Sequence, residues 1–517
     1  MQFLLSKSTV IHPILFAILP ILLIISVNMD EIVFDDIILP FLIVILSVIV
    51  LWYFLNLLLK NKMKSGLIIS LGLVLFFSYG HFFNILNNVT FGDFIIGRHR
   101  YILIPFFAIF GIGTYSLLKT KKNAIEFTTI ANVIAIVLVL ISIFNITTYA
   151  FENNSSKIFD DQINYDDSSV ITLDYTPNVY YVILDEYASS KVLNDIYNFD
   201  NQHFLSQLNA RGFHIAENSH TNYAVTFLSV TSSLNMKYLN YISDEIGIDS
   251  ADRRLPNQLF NNNKIMNIFK SYNYTIVNLA LTSGNPELAD FDLCPDQFFT
   301  DQLQITLWES TMLKPVFVTM FADQAHRDRI LCKFSELSDL HNSMEEPFFV
   351  YAHFQFPHPP YVFDPNGEAT QIESLSAGAS AWDNKLGYVN QIQFANKKVI
   401  ETIDKILLES SSSPIIILQG DHGTPTLLGG GGLNWYNKND ESIRERMSIF
   451  NAYYLPDQNP ELIYDSITPV NSFRLILNTY FNGNYELLED KNYFSDYKNP
   501  YNFTDVTEIL LLDTTKD

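Results

Sequence analysis

The sequence predicts a five-helix transmembrane region followed by an α/β domain built on a doubly wound, mostly parallel sheet. Three observations predict it. Five long apolar stretches fill residues 1–150, short β-branched and aromatic runs alternate with helical periodicity beyond residue 177, and charge is divided unequally between the two parts. Residues 1–150 hold 9 Lys and Arg against 6 Asp and Glu, whereas residues 151–517 hold 23 against 49, so a segment of net +3 precedes one of net −26. Hydrophobic residues are 48% of the chain and aromatic residues 14%, which excludes collagen-like and disordered classes. With this acidic balance no nucleic-acid partner is expected.

A helix needs about 20 mostly apolar residues to cross a bilayer. Residues 10–27, 37–59, 66–86, 101–118 and 127–150 meet or approach that length, the third interrupted near its end by His81 and Asn84. Lysines set the orientation, because cytoplasmic loops carry the cationic excess. Lys7 precedes the first span, Lys60, Lys62 and Lys64 follow the second, and Lys119, Lys121 and Lys122 follow the fourth. Five crossings with these lysines inside place the remainder outside the cytoplasm, tethered to the cell membrane by a multi-pass anchor. No small-residue cleavage site follows the first stretch, so a removable signal peptide is disfavoured. The expected domains are an anchor at 1–150, a polar linker at 151–176 and an extracytoplasmic domain at 177–517. Both cysteines, Cys294 and Cys332, fall in that domain, where a disulfide would persist. They match no metal-ligand spacing.

Within the outer domain, 178–184 (NVYYVIL), 274–280 (YTIVNLA), 348–354 (FFVYAHF) and 415–419 (IIILQ) suit buried parallel strands. Residues 196–211 and 386–409 have helical spacing, and 212–219 (GFHIAENS) is a further strand candidate. Alternation of this kind argues for helices on both sheet faces, with function gathered at the carboxyl ends of the strands. Three such ends carry chemistry. Asp185 follows the first strand, although an acid there also suits a turn or helix cap. Gly420-Asp421-His422-Gly423 follows IIILQ and offers one oxygen and one nitrogen ligand at a tight turn, a set that suits zinc or manganese. His358 lies in FPHPP after FFVYAHF, where the prolines hold either a working imidazole or merely a rigid loop. Thr226 begins a helix candidate within NYAVTFLSVTSSLNM; a threonine there caps a helix, and a hydroxyl at a helix N-terminus also meets anions.

The order LDEY, NYxxTxxSVTSSLNM, PHPPY and GDHG resembles the alkaline phosphatase and sulfatase superfamily, and within it the membrane-anchored branch of lipoteichoic acid synthases and phosphoethanolamine transferases. The motifs cover residues 178 to 456, and the late segment 445–456 (ERMSIFNAYYLP) resembles a core strand that follows GDHG. The resemblance implies a sheet of alkaline phosphatase/sulfatase type, with Asp185, Thr226, Asp421 and His422 holding one divalent metal ion (Mn, Zn or Mg). It implies Thr226 as nucleophile, His358 as a proton donor or substrate-binding group, and Asn222 as a further substrate-binding residue. Glu186 next to Asp185 is an alternative ligand, and His353 is expected to point into the sheet. The Cys/Ser-x-Pro-x-Arg element of formylglycine sulfatases does not match at Cys294 or Cys332, which disfavours sulfate-ester hydrolysis by that route. The function implied is a metal-dependent phosphotransferase or phosphodiesterase acting at the bilayer on a phospholipid head group or envelope glycan. A hydrolase of soluble phosphate or sulfate esters, and a non-catalytic relative that binds envelope lipid or glycan, are the alternatives.

Overall fold

The computed structural model describes residues 9–29, 34–86, 89–91, 94–95, 97–120, 124–155, 176–280, 288–294, 302–318, 321, 323–372, 381–429, 435–456 and 462–514. They belong to two compact units, residues 1–158 with 297–322, and residues 159–296 with 323–517.

The first unit contains α1 (His12–Val27), α2 (Phe34–Leu59), α3 (Lys62–Leu86), α4 (His99–Lys119) and α5 (Ala124–Ser155). The helices α2 to α5 are long and apolar enough to cross a membrane, while α1 has 16 residues. At 1.5 Å per residue α1 is about 24 Å long, short of the ~30 Å hydrocarbon core. Leu46, Leu51 and Leu140 are each more than half exposed. Outward apolar side chains are stable where lipid is the solvent. The Lys64 ammonium donates to the carbonyls of Leu118 and Thr120, at 2.9 and 3.3 Å. The start of α3 and the end of α4 therefore share one end of the bundle, as the lysine positions anticipate; Lys7, Lys121 and Lys122 lie outside the described residues. His81 is exposed on α3.

Residues 297–322 also belong to this unit, although they interrupt the sequence of the other. They hold three charged residues, Asp301, Glu309 and Lys314, against nine in the equally long stretch 323–348 that follows. They carry two short helices, Gln302–Glu309 and Lys314–Phe317, and Leu303 and Leu307 pack against Ile21, Ile25 and Phe77. The backbone is joined as well: the Gly80 N–H donates to the Ser310 carbonyl at 2.8 Å, and the Met312 N–H to the Phe76 carbonyl at 3.0 Å. A Cβ at Gly80 would lie 2.1 Å from the Glu309 carbonyl oxygen, so only glycine admits the insert. Lys314 pairs with Glu309 at 3.2 Å and donates to Asn84 Oδ1 at 3.1 Å, with Lys314 and Glu309 1% and 5% exposed. Asn84, which looks like an interruption of an apolar span, is thus the partner of a buried cation.

The second unit is organised by a seven-stranded sheet. Its strands are β1 (Val179–Leu184), β2 (His214–Ile215), β3 (Thr275–Leu279), β4 (Phe291–Asp292), β5 (Phe348–Phe354), β6 (Ile415–Gln419) and β7 (Asn451–Tyr454), in the order β2-β7-β6-β1-β5-β3-β4. From β6 to β4 all neighbours are parallel, and β7 pairs antiparallel with both β6 and β2. Side chains alternate between two cores, as period-2 geometry requires. Tyr180, Val182 and Leu184 pack on one face with Ile392, Val399 and Ile403. Val179, Tyr181 and Ile183 pack on the other with Val230, Leu234 and Phe473. The doubly wound, mostly parallel architecture expected from the sequence is present.

Several local expectations change. The helix expected over 196–211 is two, Ser190–Tyr197 and Gln202–Ala210, because Asn198 turns left-handed at φ 53° between them. The strand expected over 212–219 is only two residues long, and 445–456 begins as the end of a helix, Asp440–Met447, before β7. Residues 151–155 continue α5, and 156–175 of the expected linker lie outside the described residues. Cys294 and Cys332 form a disulfide across 38 residues. It joins the two stems from which the 297–322 insert departs.

Candidate active site

The sheet order brings three strand ends together. β6, β1 and β5 are adjacent and parallel, with Ile183 opposite Gln419 and Leu184 opposite Phe354. The residues that follow, Asp185, Gly420–Gly423 and the 355–360 loop, must then emerge along one edge. The loop is fixed there by the His358 N–H, which donates to the Asp185 carbonyl at 3.1 Å. Gly423 is required by closeness: a Cβ would sit 2.0 Å from the Glu445 carbonyl oxygen.

Asp185, Asp421 and His422 each present a ligand atom within 4.8 Å of the others, and all three are buried. Asp421 Oδ1 accepts from the N–H groups of Glu186 and His422, at 3.1 and 2.9 Å. Its Oδ2 and Asp185 Oδ1 are buried with no hydrogen-bond partner. The Gly423 carbonyl lies 3.1 Å from His422 Nδ1. A carbonyl can only accept, so Nδ1 carries the proton and Nε2 presents its lone pair. That Nε2 is 3.2 Å from Asp421 Oδ2 and 2.8 Å from Thr226 Oγ1. Two unpaired carboxylate oxygens and an imidazole lone pair facing one space form a donor set that fits a divalent cation.

Thr226 is the first residue of α6 (Thr226–Asn235); Val225 holds the cap position and makes no side-chain capping bond. The hydroxyl therefore faces His422 rather than closing its own helix. The helix is locked beneath by Ser229, whose hydroxyl donates to the Asp421 carbonyl at 2.7 Å.

Glu186 is differently committed. Its Oε1 accepts from Arg446 Nη1 at 3.1 Å and its Oε2 from Trp382 Nε1 at 2.8 Å. With both oxygens occupied, Asp185 is the carboxylate left open. Arg446, only 1% exposed, also donates to the carbonyls of Ala224 and Gly423, each at 2.7 Å. It is the main positive charge near the acids. Burial, then the charges of Asp421 and Glu186, push the Asp185 carboxyl well above its ordinary range, while burial raises Asp421 to about 6 despite the Glu186 amide and Arg446. Burial and Arg446 push His422 well below its ordinary value, which keeps the imidazole neutral.

His358 Nδ1 lies 2.5 Å from the Pro359 carbonyl, so it carries the proton there, and Nε2 sits 3.9 Å from Glu186 Oε1. Its ring meets Trp382 edge-on at 5.7 Å. His353 is close as well: Nε2 lies 3.9 Å from Asp185 Oδ2 without a hydrogen bond, and burial takes its pKa to about 3. Asn222 is fully buried, with Oδ1 accepting from the Val470 N–H at 2.9 Å and Nδ2 donating to the Lys491 carbonyl at 2.9 Å. These bonds commit its side chain to bracing C-terminal segments. Sequence reasoning missed Arg446, Trp382 and Tyr497. Burial raises the Tyr497 phenol, opposed by the charge of Arg446 and reinforced by those of Asp185 and Asp421. Arg446 lies in the 445–456 segment, which was read for its strand alone, whereas Trp382 and Tyr497 are remote in sequence from the motifs they support.

The sulfatase family profile, described as Sulfatase, matches residues 177–450. No curated protein sequence matches the chain. Among solved structures, the C-terminal periplasmic domain of EcEptC from Escherichia coli in complex with Zn is similar at 11% identity and TM-score 0.43, covering 65% of this chain and 96% of that one. The C-terminal periplasmic domain of the phosphoethanolamine transferase EptC from Campylobacter jejuni is similar at 12% identity and TM-score 0.39, covering 61% and 92%. BT1596, a 2-O GAG sulfatase, is similar at 12% identity and TM-score 0.40, covering 62% and 77%. The match of the family profile over more than half of the sequence establishes that this chain belongs to the sulfatase family.

Proposed function

We propose that the protein is a membrane-anchored, metal-dependent phosphotransferase that moves a phosphoryl-linked group from a phospholipid to an extracytoplasmic acceptor through Thr226. The observation that carries this reading is the Thr226 hydroxyl 2.8 Å from His422 Nε2, beside the unpartnered oxygens of Asp185 and Asp421. Asp185, Asp421, His422 and Thr226 would hold one divalent ion, Zn, Mn or Mg. When bound, such an ion lowers the hydroxyl's pKa and withdraws charge from the ester oxygens.

Thr226 gives up its proton to the free Nε2 lone pair of His358, and Oγ1 forms a bond to phosphorus as the ester oxygen departs. That proton, carried on His358 Nε2 while Pro359 fixes Nδ1, passes to the leaving oxygen. An acceptor hydroxyl, amine or water then attacks phosphorus, the P–Oγ1 bond breaks, and the acceptor's proton passes by way of His358 Nε2 to Thr226 Oγ1. Arg446 and Trp382 hold Glu186 away from the reacting atoms, which keeps the space open at Asp185. The absence of a Cys/Ser-x-Pro-x-Arg element favours phosphoric over sulfuric esters. The test is incubation of the full-length protein with labelled phospholipids, followed by digestion and mass spectrometry. The expected result is a phosphate-containing adduct on Thr226 whose mass names the transferred group. Full turnover by Thr226→Ala would overturn the mechanism.

A further inference from the structure

The membrane unit contains a cavity of about 610 Å³ that none of the proposed chemistry uses. Its wall runs along α2 from Pro40 to Leu55, along α3 from Ile68 to Phe77, and reaches Phe110 and Thr114 of α4. The insert supplies one end through Leu307, Trp308 and Leu313. Only Ser47, Thr114, Gln304 and Thr311 bring a polar side-chain oxygen or amide to the lining. We propose that this cavity binds one fatty acyl chain of an anionic glycerophospholipid, with the 302–313 segment as its cover.

Size, depth, access and charge support that occupant. The volume lies within the roughly 300–1,000 Å³ of single-ligand pockets. Fifteen residues separate Pro40 from Leu55, about 22 Å along the helix at 1.5 Å per residue, which suits a long extended chain within a ~30 Å hydrocarbon core. Of the α2 wall, Ile43 and Leu51 are 38% and 58% exposed, so this side of the cavity borders the medium in which acyl chains are the bulk component. Leu307 packs with Ile25 of α1 and Phe41 of α2, which places the cover at the bundle end opposite Lys64. The N-terminus of α4 lies at that same end and carries exposed Arg98 and Arg100, cations suited to a lipid phosphate. From Arg98 to Phe110 is twelve residues, about 18 Å, so a head group held by the arginines leaves its chain long enough to reach the cavity wall. The cover is secured by the Gly80–Ser310 and Phe76–Met312 backbone bonds.

The proposal does not depend on Thr226. It is tested by reconstituting the full chain in phosphatidylglycerol-containing nanodiscs with a phosphatidylglycerol probe that carries a photoactivatable group on its acyl chain, then mapping labelled peptides. Labelling is expected to concentrate in 40–55, 68–77 and 304–313. It should fall about tenfold, the effect of ~1.4 kcal/mol, in Ser47→Phe and in Leu55→Trp, which fill the cavity at different depths. Leu46→Phe, a neighbour absent from the lining, and Thr226→Ala should leave it unchanged. Two folded variants serve as mutual checks, each accepted only with an unaltered melting profile. Equal labelling of Leu140 and Ile141 on α5, labelling insensitive to both filling variants, or displacement of the probe by a polyisoprenyl phosphate but not by phosphatidylglycerol would overturn the proposal. Loss of the Thr226 adduct with cavity labelling intact would instead reject only the catalytic reading.

Discussion

Both units bury acids, and they do so in opposite ways. In the membrane unit Glu309 is neutralised by Lys314, itself held by Asn84. In the other unit Asp185 and Asp421 face each other with an unpartnered oxygen apiece, while Arg446 is spent on Glu186 and backbone carbonyls. A buried charge is tolerated only when paired or when it coordinates a metal. The first arrangement is complete within the protein and structural. The second is incomplete and calls for a cation.

The largest effect should come from the incomplete cluster. Asp185→Ala or Asp421→Ala should abolish metal retention, read by elemental analysis of the purified full-length protein, and reduce turnover about 10³-fold or more. Glu186→Gln should retain metal. If Glu186→Gln lost the ion and Asp185→Ala kept it, the assignment of the open carboxylate would be reversed. Breaking the complete cluster should act on stability alone. Lys314→Met removes the cation that neutralises buried Glu309, a cost of about 3–5 kcal/mol by the behaviour of buried pairs. The double variant Lys314→Met with Glu309→Leu should recover most of that loss in a detergent melting experiment, since both charges are then gone. Failure of the double variant to recover would mean that the pair does more than neutralise itself.

Removing the disulfide by Cys294→Ala with Cys332→Ala should cost about 2–4 kcal/mol, measured as a lowered unfolding midpoint. The smallest effect separates the clusters by pH. Asp421 in the metal-free site is raised to about 6, so below that pH a proton occupies the carboxylate that the metal needs. Metal affinity should therefore fall as pH drops below about 6, by about tenfold per unit for one displaced proton. A calorimetric titration showing constant affinity from pH 7 to 5 would contradict that coupling.

Much of the second unit was legible in the sequence because its signals are local. A run such as FFVYAHF buries both faces, and β5 spans those seven residues. IIILQ likewise becomes β6, and the 386–409 periodicity becomes the helix Lys385–Glu409. The acids and imidazole of the site were legible because parallel strands in an alternating α/β order must deliver their ends to one edge. Two local judgements went otherwise. One helical pattern became two helices at Asn198, where a left-handed turn outweighs continuous periodicity. His353, expected to point into the sheet, lies 3.9 Å from Asp185.

By itself the sequence determined the apolar helices, the strand runs, the order of the motifs and the uneven charge, since each follows from composition and period within a few neighbouring residues. Tertiary structure alone decided the rest. It left Asp185 open by binding Glu186 to Arg446 and Trp382, committed Asn222 to the fold, and paired Asn84 with Lys314 across 230 residues. It also assigned residues 297–322 to the membrane unit. These outcomes depend on which groups meet after the chain has folded, and burial makes an unpaired polar group costly enough that the meeting, more than the residue type, sets each role.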